Sequence, residues 1–239
     1  MAGHSKWANI KHRKEKADQK KGKIFSRAIK EIITAVKQGG SDPKVNARLR
    51  IAIDKAKEAN VPNENIERNI KKAADPNTAG YSAMEYELYG YGGVGLIVSI
   101  LTDNKNRISS DIRIAINKCG GTVATPGAVS FNFERKGVIE IEKSSISEED
   151  LFLLATDAGA EDMQVEEEGY RVITTVENYI VVKEALEKSS AKIIEADLQM
   201  VPKNWIEPTD EEAALNIALI DWLEKLDDVD AVYHNMGKN

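Results

Sequence analysis

From Ile24 onward, apolar residues return every three or four positions. Ile24, Phe25, Ala28, Ile29, Ile32, Ile33 and Val36 make one stripe, which predicts a helix packed along one side. Gly39-Gly40 stops it. Asp42-Pro43 restarts the chain, with Asp42 as N-cap and Pro43 in the first turn. Val45, Leu49, Ala52, Ile53 and Ala56 form a second stripe. Asn60-Val61-Pro62-Asn63 breaks it, and Asn63 is placed to cap a third helix through Ile66, Ile70 and Ala74. The pattern is that of a three-helix unit with short loops. Asp75-Pro76-Asn77-Thr78-Ala79-Gly80 reads as a linker. Ahead of Ile24 the pattern is missing. Residues 1–23 hold Trp7 and Ile10 as their only large apolar side chains, too little to offset chain entropy, and the expectation is a mobile arm.

Past Gly80 the period changes to two. Tyr86–Tyr89 and Leu96–Leu101 read as paired strands around Gly90-Tyr91-Gly92-Gly93. Arg107–Lys118 is an amphipathic helix through Ile108, Ile112, Ala115 and Ile116, ended by Gly120-Gly121. Val129–Phe133 and Gly137–Ile141 follow as strands. Then come helix Glu148–Ala158, strands Asp162–Glu166 and Tyr170–Thr175, helix Val176–Lys188 and strand Lys192–Met200, a split βαβ plan. Helix Asp210–Leu226 and a strand around Val229–Tyr233 close the chain. Residues 81–135 lack a second covering helix, and residues 205–239 supply one. A sheet covered on one face needs its helices there. The predicted organisation is therefore an arm at 1–23, a helical domain at 24–80, a discontinuous α/β domain at 81–135 plus 205–239, and an inserted ferredoxin-like domain at 136–204. The fold class is α+β, a three-helix domain followed by two ferredoxin-like α/β domains, one inserted in the other.

Charge divides the chain differently. Residues 1–75 carry 19 of the 33 Lys and Arg but 9 of the 39 Asp and Glu, a formal +10, against −16 for the rest. Within residues 1–23, Lys6, Lys11, Arg13, Lys14, Lys16, Lys20, Lys21 and Lys23 face only Glu15 and Asp18. Such density suits an anionic polymer, because each phosphate neutralised releases condensed counterions. Bases continue at Arg27, Arg48 and Arg50, and Trp7, His4 and His12 interleave the arm. Trp7 can stack on an unpaired base while Lys and Arg hold phosphates. No zinc-finger, basic-zipper or RNA-recognition signature is present. The candidate nucleic-acid contacts are Lys6, Trp7, Lys11, Arg13, Lys14, Lys20, Lys21, Lys23, Arg27, Arg48 and Arg50. Lys105 and Arg107, at the strand-to-helix junction Thr102–Arg107, are a second candidate contact near a first helical turn.

Other chemistry is sparse. No apolar run approaches a membrane span, and the basic N-terminus lacks the apolar segment of a secretory signal. The one cysteine, Cys119, excludes a disulfide framework and a cysteine zinc site, so a reducing, cytoplasmic setting is expected. His4, His12 and His234 lie at the chain ends, and a mobile arm cannot hold catalytic geometry. The glycines of Tyr86–Gly95 have the wrong spacing for a dinucleotide loop and precede a strand, which reads as a tight turn with Tyr89 or Tyr91 at the surface. Asp227-Asp228-Val229-Asp230 lacks the spacing of a calcium loop and reads as helix-end and turn residues. No cofactor, metal or small-molecule substrate is expected.

Seven blocks together resemble the YebC family: Met1-Ala2-Gly3-His4-Ser5-Lys6-Trp7, Gly22–Phe25, Asn60–Ile66, Tyr86–Gly95, Thr102–Arg107, Cys119-Gly120-Gly121 and Val232–Asn235. The family includes the mitochondrial translational activator of cytochrome oxidase subunit one. The resemblance runs in order from Met1 to Asn235. It implies three domains, one helical and two α/β, around a cleft. It also implies a non-enzymatic, cytoplasmic protein, usually described as a DNA-binding transcriptional regulator. Other members resemble translation factors acting on the ribosome, some easing synthesis through difficult nascent sequences. The residues themselves leave DNA and ribosomal RNA both open. The acidic domains are then candidates for contact with the transcription machinery or the ribosome. An enzyme with its site between the α/β domains is the remote reading, since no acid, base and nucleophile converge in the sequence.

Overall fold

The computed structural model describes residues 13–78, 80–166 and 169–237. Helix α1 runs from Arg13 to Gly39, eleven positions ahead of the first residue of the apolar stripe. Residues 13–23, expected in a mobile arm, thus belong to a helix. No proline interrupts them, and Lys, Glu, Gln and Ala elongate a helix readily once its packed half is nucleated. That half carries Ala28, Ile32, Ile33 and Val36 into a core with Leu49, Ala52, Ala56 and Ile66.

Helix α2 spans Ala47–Glu58 and its N-cap is Asn46, not Asp42. Asn46 Oδ1 accepts from Leu49 N at 3.0 Å, while Nδ2 donates to the carbonyls of Ala35 and Gly40, both at 2.8 Å. Asp42 instead closes its own turn on Lys44 N at 2.8 Å. Val45, expected in the second stripe, is consequently outside the helix and 82% exposed. Helix α3, Asn63–Ala73, has Pro62 at its N-cap, so Asn63 is its first residue and caps nothing.

Strands β1 (Ser82–Tyr89) and β2 (Gly95–Thr102) form an antiparallel hairpin. Helix α4 (Lys105–Cys119) and the two-residue strand β3 (Thr122–Val123) follow. Far along the chain, α7 (Asp210–Glu224) and β8 (Val229–His234) return to this sheet. The strand order is β3-β1-β2-β8. α4 and α7 cover it, burying Leu96, Val98 and Ile100 against Ile108, Ile112, Leu219 and Leu223. The three N-terminal helices and this sheet form one compact unit, through Val129 and again from Trp205 onward.

Ser130–Asn204 form the second unit. Its elements are β4 (Phe133–Glu142), α5 (Glu148–Asp157), β5 (Asp162–Val165), β6 (Gly169–Thr174), α6 (Tyr179–Glu187) and β7 (Ile193–Pro202). The order β5-β6-β4-β7, antiparallel throughout, is the ferredoxin-like plan. The crossing lies at Ser130, six positions before residue 136. There Asn132 clasps Asn204: its Oδ1 accepts from Asn204 N at 3.1 Å and its Nδ2 donates to Asn204 O at 2.9 Å. Val129–Phe133, read as a strand, is instead a single 3-10 turn at Ser130–Asn132 leading into β4. Phe131 is 71% exposed, so the alternation there meets no common core.

Candidate nucleic-acid interface

The unbroken α1 gives the bases a geometry that a coil would not. Positions 13, 16, 20, 23, 27 and 30 are Arg, Lys, Lys, Lys, Arg and Lys. Steps of three and four residues keep successive positions on one helical face. At 1.5 Å per residue the seam is about 25 Å long. Positions 14 and 21, also lysines, fall on the other side. Of the expected contacts, Arg13, Lys14, Lys20, Lys21, Lys23 and Arg27 are therefore on α1. Lys6, Trp7 and Lys11 lie outside the described residues, as do His4 and His12. Arg48 and Arg50 are exposed on α2, where Arg48 Nη1 donates to Gln38 Oε1 of α1. The short turn between α2 and α3 places Glu64, exposed, in the first turn of α3, with Glu67 one turn on and the bases Arg68, Lys71 and Lys72 toward its far end. An acid at the helix start repels the phosphates that the N-terminal end of a recognition helix would meet.

The lower end of the seam is occupied. Lys30 Nζ donates to Asp227 O at 2.8 Å and to Leu101 O at 3.0 Å, and lies 3.4 Å from Asp228 Oδ1. These use all three ammonium protons, and the side chain is only 11% exposed. The same nitrogen sits 5.4 Å from the centroid of the Tyr81 ring. One turn earlier, Arg27 Nε pairs with Asp230 Oδ2 at 3.2 Å and Glu31 Oε1 at 3.5 Å.

Asp228 is the hub. It is 5% exposed, and its Oδ2 accepts from Arg107 Nη2 at 2.6 Å, Arg107 Nε at 3.1 Å and Thr102 Oγ1 at 2.9 Å. Burial alone would push its carboxyl up. The bonds from Arg107 and Thr102 and the charge on Lys30 outweigh burial and hold it below the ordinary carboxylate value. Arg107 also pairs with Asp103 at 2.7 Å, and its hydrogen bonds to Asp228 and then Asp103 bind its proton more tightly than usual. Burial, and then the charges of Asp103 and Asp228, raise the Tyr81 hydroxyl.

The second expected contact is thus rearranged. Arg107 is engaged by two carboxylates. The first amides of α4 are engaged as well, since Asn104 Oδ1 accepts from Asn106 N and Arg107 N, both at 3.1 Å. Lys105 is exposed. Sequence reasoning passed over Lys30 and Asp228 as site-forming residues. The signal was faint: an aspartate run with no metal spacing, about two hundred positions from Lys30 in the chain.

The glycine block is a docked turn. Gly92 and Gly93 have φ of 64° and 79°, the left-handed region that favours glycine. The fully buried Asn216 of α7 grips the turn, accepting from Tyr91 N at 2.8 Å and donating to Tyr91 O at 3.1 Å. Cys119 is partly buried against the core of the first unit. Among the described residues, no group of three His, Cys, Asp or Glu side chains is placed to hold a metal ion. Nor is any helix long and apolar enough to cross a membrane.

The fold defines a class: α+β proteins in which a ferredoxin-like unit interrupts a helical-plus-sheet unit. Comparison gives the family. Residues 5–76 match the TACO1/YebC protein N-terminal domain, and residues 81–236 match the TACO1/YebC second and third domain. The chain belongs to the TACO1/YebC family, in agreement with the motif resemblance. It is 61% identical over 236 residues to a probable transcriptional regulatory protein of Protochlamydia amoebophila, covering 99% of this chain and 96% of that one. It is 57% identical over 238 residues to a probable transcriptional regulatory protein of Chlamydia pneumoniae, covering 99% and 100%. A crystal structure of a conserved hypothetical protein from Aquifex aeolicus superposes with a TM-score of 0.77 at 43% identity, covering 90% of each chain.

Proposed function

We propose that this chain is a non-enzymatic, cytoplasmic regulator of gene expression that binds nucleic acid through the basic face of α1 and the residues preceding it. The observation that carries the reading is the seam at positions 13, 16, 20 and 23, a row of bases at helical spacing that leads away from the packed core. Lys and Arg hold phosphates in this reading, and Trp7 stacks on a base. The relatives' names, probable transcriptional regulatory protein, support a role in transcription and so DNA as the target. One observation favours ribosomal RNA instead: the α2–α3 pair opens α3 with Glu64, an acid at the end that a DNA-reading helix turns to the base edges. The acidic remainder of the chain repels stray polyanions. It is left to meet protein surfaces of the transcription machinery or the ribosome.

The test is a salt titration of binding to duplex DNA and to ribosomal RNA fragments. If about six phosphates are neutralised on duplex DNA, log K falls against log salt with a slope of about −5. Neutralising Arg13, Lys16, Lys20 and Lys23 should remove most of that slope. Salt-independent affinity, or unchanged binding by the neutralised chain, rejects the reading. Cross-linking in cells followed by sequencing of the attached nucleic acid separates chromosomal from ribosomal targets.

A further inference from the structure

The basic seam has two kinds of members, and the acids beside its lower end decide which is which. Lys30 is saturated by two carbonyls and Asp228 and is almost covered. It has no proton left for a phosphate. Arg27 differs. Its side chain is 41% exposed, and its Nε is shared between Asp230 at 3.2 Å and Glu31 at 3.5 Å. A phosphate arriving along α1 from Lys23 reaches Arg27 next, one helical turn further on. It then meets Asp230, a carboxylate that already takes the place a phosphate oxygen would take.

We propose that Asp230 is a built-in competitor for Arg27, so that it sets the length of the nucleic-acid footprint on α1. With the Arg27–Asp230 pair made, the footprint ends at Lys23 and the seam contributes positions 13, 16, 20 and 23. With the pair opened, Arg27 joins and the footprint grows by one phosphate. Asp228, held by Lys30, Arg107 and Thr102, is too well coordinated to exchange and marks the fixed end. Glu31, one turn along the same helix, weakens the gain but moves with Arg27 and does not tie it to the sheet. The inference rests on the nucleic-acid reading above and names how that site is limited.

The experiment is a double-mutant cycle read by salt slope on one duplex DNA and one single-stranded RNA. The proteins are the full chain, Asp230→Asn, Arg27→Gln and the double variant. Asp230→Asn should steepen the slope by about 0.9 on the duplex, or about 0.7 on the single strand, the increment of one added phosphate. Arg27→Gln alone should leave the slope of the full chain unchanged, because Arg27 is engaged elsewhere. The double variant should lose the gain, a coupling that a merely structural role would not produce. Equal slopes for the full chain and Asp230→Asn, with binding intact, overturn the competition alone. So does a slope lost in Arg27→Gln by itself. A full chain that binds neither probe at any salt overturns the functional reading and this inference with it.

Discussion

Lys30 on α1 and Asp228 ahead of β8 lie 198 positions apart in the chain and meet at 3.4 Å. Each closes contacts that the other's element cannot make alone. Lys30 reaches over to the carbonyls of Leu101 and Asp227, and Asp228 gathers Arg107 and Thr102 from the β2–α4 junction. This network fastens the N-terminal helices to the edge of the four-stranded sheet within the first unit.

Truncating Asp228 tests that fastening. Asp228→Ala leaves Lys30 nearly covered beside carbonyls alone and takes from Arg107 its nearest carboxylate. Breaking a buried pair from one side costs about 3 kcal/mol, which urea unfolding would read directly. The sign with pH follows from the lowered carboxyl. A group whose native value lies below its ordinary one, 3.8 here, contributes stability that is present above that value and lost as pH falls through the native one. The gap between the full chain and Asp228→Asn should therefore close below about pH 4. A gap unchanged down to pH 2, or a loss under about 1 kcal/mol in Asp228→Ala, means that the network does not secure the helices.

The packed parts of the fold were legible because burial imposes a period. Ile32 and Leu49 are fully buried and mark their helices in the sequence. The start of α1 was not legible, since no apolar period marks Arg13–Lys23 in the sequence and charge density alone does not separate coil from helix. The capping of α2 was misread for a related reason. Asp42 and Asn46 are both good caps, and the choice fell to Asn46 through the carbonyls of Ala35 and Gly40, a tertiary fact. At the candidate site, the bases were visible as charge. The separation of an engaged pair at Arg27 and Lys30 from the row at positions 13–23 depends on Asp228 and Asp230, which no local pattern connects to α1.

The grip of Asn216 on the Tyr91 turn gives a second expectation. Asn216→Ala strands the amide of Tyr91 beside a void and leaves its carbonyl only the 3.3 Å bond from Val94 N. Leaving a covered polar group without its partner costs about 2 kcal/mol. Thermal unfolding should show a lower midpoint for the first unit. A variant as stable as the full chain would mean that the turn is held by its glycines alone.

Tyr179, at the start of α6, carries an alkaline signature in the second unit. Burial, and then the charges of Asp197 and Glu187, push its hydroxyl up to about 12 from 10.0. Room for the ring comes from Gly137 in β4, where any Cβ would overlap it. The native state holds the phenolic proton more tightly than the unfolded chain does. Stability is therefore complete below pH 10 and is lost as pH rises through 12. Tyrosinate absorbance should show one residue titrating near pH 12 that disappears in Tyr179→Phe. That variant should also lose less stability over the same range. A full chain whose tyrosines all titrate near 10 would contradict the packing.

Gly22 lies in the basic half of α1, between seam positions 20 and 23, at a place where nothing requires a glycine. A Cβ there meets nothing within 4 Å, and the backbone is helical. Ile24 and Phe25, just after it, are exposed, so the helix ahead of them draws little from the core and depends on intrinsic propensity. Alanine is better than glycine at such a site by about 1 kcal/mol. Gly22→Ala should therefore raise the far-ultraviolet helical signal of the full chain while leaving every base in place. If α1 binds as a preformed rod, the added order raises nucleic-acid affinity by up to about fivefold. If a phosphate backbone passes close over position 22, the added methyl lowers affinity while the helical signal still rises. The two results separate a pre-organised helix from one that yields a close approach. A signal that does not rise at all would show that α1 ends short of Gly22 in solution, which would remove the seam on which the functional reading stands.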